Sequence, residues 1–220
     1  AAQKNPAALN NLSGCILELT AEGRRANPYN AFFWIADSLA LFYSEKNTAA
    51  IDALKQAGSC ARADAGLRAL NHSETAIWKA EQKPWTLFAV TPRIWGLELQ
   101  RPLHALSRWL ALQEKKALKK YNMERAVELG LLHLELADRI ADMAWTASDI
   151  AIARAIVDRT LEPFWTQKNA SPTSSQLEEH FASLLEDQGD KTMATKFRSR
   201  MDALASREKA VLTLLLAWRH

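Results

Sequence analysis

Alanine and leucine make up nearly a third of this chain. Its 220 residues include 38 Ala and 31 Leu, against only 9 Ile and 4 Val. Ala and Leu are strong helix formers, whereas strands draw on β-branched side chains that pack on a pleated surface. A sandwich or barrel also needs frequent turns, and 7 Gly and 7 Pro cannot supply them. A parallel sheet between helices needs several Val/Ile-rich runs, which this chain lacks. The expectation is an all-α protein.

Helix boundaries can be placed from capping and breaking residues. Asn5-Pro6 and Asn27-Pro28 each set a capping side chain before a proline at the first helical position. The first pair predicts a helix to about Glu22, stopped by Gly23. The second predicts an aromatic helix through Phe32, Phe33, Trp34, Leu39, Phe42 and Tyr43. Its apolar residues cover too much circumference for a surface helix, so neighbours are expected on at least two sides, with Trp34 buried. A short helix over 48–57, ended by Gly58, and one or two more over 62–82 follow. Pro84, Pro92 and Pro102 punctuate 83–101, predicted as the longest irregular segment.

Further helices are predicted over 103–120, 122–145 and 148–167, the last kinked or ended by Pro163. Residues 169–175 have linker composition and form the weak point of an otherwise single helical domain spanning 1–220. They run into a capping box at Ser175 and Glu178. Helices over 176–188 and 190–218 complete a set of nine to eleven. Short connections between them imply antiparallel hairpins. Trp34, Trp78, Trp109, Trp145 and Trp165 lie in apolar helical patterns and read as core residues.

Composition narrows the function classes. With 28 basic and 25 acidic residues, the net charge of +3 lacks the concentration of a dedicated nucleic-acid binder. The longest apolar run, Ala210–Trp218, is too short to span a bilayer. Cys15 and Cys60 read either as two buried thiols or as a disulfide tying the first helix to the end of the next hairpin. The start Ala1-Ala2-Gln3 suits a trimmed chain or an exported protein after signal removal, and export would permit the bridge. Cytoplasmic and exported locations both stay open.

No catalytic motif stands out. The five histidines show no metal-ligand spacing, so no metal or cofactor is expected. There is no nucleophile elbow, no phosphate loop and no dinucleotide fingerprint. Carboxylates could still converge from different helices, which keeps a helical enzyme as the alternative to a binding protein.

Three helix ends share a pattern: Tyr43–Ile51, Lys120–Val127 and Gln188–Ala194. Each has a tight turn containing Asn, Gly or Asp, then an Ala about four residues into the next helix. A small side chain there lets the second helix lie close against the first. In pieces covering about 100 residues, this pattern resembles tetratricopeptide-type helical repeats. With Ala50 on that family's small second-helix position, Trp34 falls on the large first-helix position and Ser38 on the small crossing position. Leu54 then falls on the second-helix core and Ala57 on the next small position. The third hairpin places Ala182 and Ala194 likewise. The middle hairpin departs, with Glu114 where a small residue is expected and Gly130 where a bulky one is. Ala126 and Ala194 are 68 residues apart, twice the family period of about 34, but Ala50 and Ala126 are 76 apart.

The resemblance implies a short, irregular superhelical array that binds a protein or peptide in a groove. Arg108, Lys115 and Lys119 fall within roughly 20° of one line on their helix. In the family alignment they take groove-facing first-helix positions, where basic residues hold a partner's carboxylates. The expected partner is therefore a protein or peptide with an acidic segment. A solvated face is the plain alternative, and nucleic-acid phosphate a remote one.

Overall fold

The computed structural model describes residues 6–64, 91–143, 147–165 and 171–217. Among them it is all-helical, with no strand beyond an isolated bridge pairing Asn30 with Arg62. The helices are α1 (Pro6–Ala26), α2 (Ala31–Tyr43), α3 (Asn47–Ser59), α4 (Thr91–Lys119), α5 (Met123–Asp142), α6 (Ala147–Leu161), α7 (Ser174–Asp187) and α8 (Lys191–Ala217), with a 3-10 turn at Glu162–Phe164. The chain divides into two compact units, Ala1–Leu106 and Ser107–His220, and the division falls inside α4, away from 169–175.

In the first unit, α2 packs against both α1 and α3. Its fully buried residues are mostly small or polar: Ala31, Ile35, Asp37, Ser38 and Ala40. Phe32, Phe33, Trp34, Phe42 and Tyr43 are only half-buried, so the buried core position expected for Trp34 is corrected. The Arg24 guanidinium lies 4.3 Å over the Trp34 ring, a cation–π contact that covers one indole face. Close approach of the helix backbones drives this arrangement. The Ser38 hydroxyl donates to the Ala50 carbonyl at 2.8 Å, which only a small side chain at that crossing permits.

Several boundaries differ from expectation. Gly23 does not stop α1, which continues to Ala26. A β-carbon at Gly23 would overlap the Phe33 ring, so its use is close packing rather than termination. The α2 cap is Asn30, not Asn27. Its side-chain oxygen accepts from Phe32 N at 3.1 Å and Asp64 N at 2.9 Å, while its amide donates to Asp64 O at 2.7 Å. A single residue thus caps a helix and fastens the extended segment after α3. Cys15 is exposed and Cys60 buried, both as thiols, so no bridge joins them. The Cys60 thiol instead lies 3.4 Å from Gln56 O, an ordinary fit for a thiol at a helix end.

The stretch expected to be irregular runs as helix from Thr91. Pro92 sits in the first turn, where a missing N–H costs nothing, and Pro102 is carried inside α4. Pro163 ends α6 at Leu161 and opens the 3-10 turn. The α7 capping box is formed by Thr173 and Gln176 rather than Ser175 and Glu178: Thr173 N donates to Gln176 Oε1 at 2.9 Å, and Gln176 N donates to Thr173 Oγ1 at 3.3 Å. Trp109 and Trp165 are half-buried, while Trp78 and Trp145 lie outside the described residues.

The second unit packs α5 on α6 and α7 on α8, with α8 also meeting α6 and α5. An edge-to-face aromatic row, Phe164–Phe181–Phe197, runs through its centre with ring centroids 5.0 and 5.3 Å apart. This row explains Gly130. The Phe164 ring stands 3.3 Å from the point a β-carbon at Gly130 would occupy, so the bulky group at this position comes from another element.

Three turns close identically. Glu45, Tyr121 and Gly189 each take a left-handed conformation, with φ of 61°, 56° and 87°. Behind them Lys46 N, Asn122 N and Asp190 N bond back to Leu41 O, Ala117 O and Leu185 O at 2.9, 3.0 and 3.0 Å. This is the 6→1 closure of a Schellman motif. Five residues beyond each left-handed residue lie Ala50, Ala126 and Ala194, all with no exposure. Twelve residues before each of these alanines stand Ser38, Glu114 and Ala182, again with no exposure.

Candidate functional site

Two features of the second unit could carry chemistry: a cationic face on α4 and a buried polar chain beneath it. Both follow from helical spacing. Ser107, Leu110, Ala111, Glu114 and Ala117 point inward, while Arg108, Leu112, Lys115, Lys116 and Lys119 are exposed. Lys120 and Tyr121 continue the exposed face into the turn.

The buried chain begins at Glu114. Its Oε1 accepts from His133 Nδ1 at 2.8 Å, and His133 Nε2 meets the Ser107 hydroxyl at 2.8 Å. Arg159 Nη1 donates to Ser107 Oγ at 3.0 Å. Arg159 can only donate to Ser107, and with His133 protonated on Nδ1 the order runs Arg159 to Ser107, Ser107 to His133 Nε2, and His133 Nδ1–H to Glu114. Ser107, Glu114 and His133 all have zero exposure. The connectivity matches that of a serine–histidine–carboxylate triad. The burial does not, because a nucleophile must reach a substrate.

Glu114 and His133 also account for the irregular middle hairpin. Glu114 takes the crossing position held by Ser38 and Ala182 in the other two, and His133 the position held by Ala57 and Met201. A hydrogen-bonded pair replaces small or apolar packing. The sequence offered only a hint of this, in the departure at Glu114; the partner is 19 residues away on another helix. Ser107 and Arg159 were not legible as members of the group.

The cations of this face form no ion pair among the described residues, as is also true of the exposed Lys191, Lys196 and Lys209 of the same unit. The arginines of this unit are mostly engaged. Arg139 binds Glu135 and Asp142, Arg200 binds Glu135 and Asp138, and Arg207 binds Asp142, which straps α8 to α5. Arg154 holds Glu178, and Arg198 is forked between Glu179 and Glu186, an arrangement that raises its pKa and lowers that of Glu179. Among the described residues no carboxylate forms an ion pair with Arg108, Lys115, Lys116, Lys119 or Lys120. Glu114, the nearest in sequence, is turned inward to His133. Lysines in the last turn complement the helix dipole, which accounts for Lys116 and Lys119 but not for Arg108, about three turns from the end.

Among the described residues no group of three or more His, Cys, Asp or Glu side chains is placed to hold a metal ion, and no described helix is long and apolar enough to cross a membrane. His180 is spent on the Phe164 carbonyl at 3.0 Å. Compared with protein-family models, curated proteins and solved structures, the chain matches none.

Proposed function

We propose that this protein is a non-enzymatic adaptor of the tetratricopeptide-like kind, which binds an acidic segment of a protein or peptide partner through Arg108, Lys115 and Lys119. The observation that carries this reading is the exposed line of Arg108, Lys115 and Lys119 along α4, with no ion pair to any of the three among the described residues. A partner supplying spaced carboxylates would relieve the repulsion among these charges and form charge-assisted hydrogen bonds. The repeat reading is supported by the three identical turns and the buried small residues at fixed offsets from them. The function itself is an analogy from that architecture, since a fold alone does not fix an activity.

The test compares wild type with Lys115→Glu/Lys119→Glu as baits, followed by mass spectrometry. Proteins with acidic segments retained by wild type, lost by the variant and released by added salt are expected. Equal retention by both baits would refute the assignment of this face. Binding of any duplex or single strand, with a steep salt dependence, would instead favour nucleic acid.

A helical enzyme has one observation on its side, the hydrogen-bond order Ser107–His133–Glu114. Its complete burial weighs against it. Reaction of the folded protein with a fluorophosphonate, mapped to Ser107, would establish that reading; an unlabelled Ser107 is expected.

A further inference from the structure

The exposed large apolar side chains among the described residues of the second unit are not scattered. Among its described residues they are Leu112, Tyr121 and Met123, exposed by 56, 97 and 42 %. All three fall in the 16-residue stretch that also holds the unpaired cations. Leu112 lies one turn from Arg108 and one from Lys115, within about 60° of both around the helix. Leu112 stands among the cations on α4, and Tyr121 and Met123 follow in the turn and at the start of α5. Exposed apolar groups beside polar ones are the mark of contact surfaces.

We infer that this stretch takes an acidic segment that also carries apolar side chains, with Leu112 as an anchor between the cations and Tyr121 at the turn. The inference rests on the adaptor reading and deepens it by naming the chemistry of the partner. Charge complementarity sets the sign of the partner, and the shape of the surface selects its kind. Arg108 to Lys119 span about 16 Å along a narrow arc, the footprint of one polypeptide segment. A helix lying on a lipid surface needs a broad apolar face, and here one leucine interrupts a charged line. A nucleic acid gains from cations and stacking but has no use for Leu112. The modest net charge of +3 likewise gives no broad positive field for a polyanion.

Two synthetic peptides of equal length and charge distinguish these elements. One alternates glutamates with leucines at helical spacing, and the other has serine at every leucine position. Fluorescence anisotropy with the full chain should show the leucine peptide binding about tenfold more tightly than the serine peptide, the return from burying one well-seated apolar anchor. Leu112→Ser should abolish that preference while leaving the serine peptide's affinity unchanged. Lys115→Gln/Lys119→Gln should weaken both peptides, and it avoids reversing charge at the helix end, so folding is preserved; circular dichroism checks each variant. Equal binding of the two peptides to wild type, or a preference that survives Leu112→Ser, overturns the apolar anchor while the adaptor reading stands. Failure of both peptides to bind overturns the two together, as does sedimentation with phosphatidylserine vesicles in place of peptide binding.

Discussion

At the scale of single residues, the most consequential choices are polar groups placed where no water reaches. Glu114 and His133 bond each other inside the second unit through Oε1 and Nδ1, while the other Glu114 oxygen, Oε2, is buried without a hydrogen-bond partner among the described residues. Replacing Glu114 with Met keeps the volume but leaves the His133 Nδ1–H unpaired, and should cost about 3 kcal/mol in urea unfolding. Adding His133→Leu removes that orphan but takes the acceptor from the buried Ser107 hydroxyl, so the double variant should recover only part of the loss. A double variant no better than the single one would mean that Glu114 acts alone. Asp37 poses the same problem in the first unit. Burial pushes its carboxyl above the ordinary value of 3.8, and the Thr20 hydroxyl and the Arg24 guanidinium offset only part of that. Its folded pKa is raised, so its contribution is fullest below the ordinary carboxylate pKa and is lost as pH rises through the folded one. Wild type should therefore lose stability relative to Asp37→Asn between acid and neutral pH. A gap that stays constant with pH would contradict the burial effect.

At the scale of helices, glycine position decides how closely neighbours approach. Gly23 gives way to the Phe33 ring, whereas nothing lies near a β-carbon at Gly14 on the same helix. Gly23→Ala should cost about 1–3 kcal/mol through overpacking, and Gly14→Ala should gain up to about 1 kcal/mol from helix propensity. Thermal melts of the two variants should move in opposite directions. Gly23 also shows where sequence reading stops. Helix type and rough extent were legible, because the propensities of Ala and Leu act locally, whereas the caps of α2 and α7 fall at Asn30 and Thr173 and not at the expected residues. The function of Gly23, set by the Phe33 ring, and the choice of Asn30 as a cap, fastened also to Asp64, depend on tertiary neighbours. The candidate cations were legible from spacing alone, since exposure on a helix follows its period. The chain from Glu114 to Arg159 was not, because its members meet only when three helices pack.

At the scale of the molecule, one turn geometry recurs between α2 and α3, between α4 and α5, and between α7 and α8. Its left-handed residue is glycine only at position 189; at 45 and 121 a glutamate and a tyrosine hold it. L-residues with side chains pay roughly 1–2 kcal/mol for that conformation, and glycine does not. Glu45→Gly should accordingly gain up to about 1 kcal/mol, and Gly189→Ala should lose about as much, both read as shifts in melting temperature. The three turns therefore form a set of interchangeable junctions. The chain reversal at each point is thus set by the same backbone closure whatever side chain stands at its left-handed residue, so the turn sequences of 45, 121 and 189 could be exchanged while each crossing keeps its own packing.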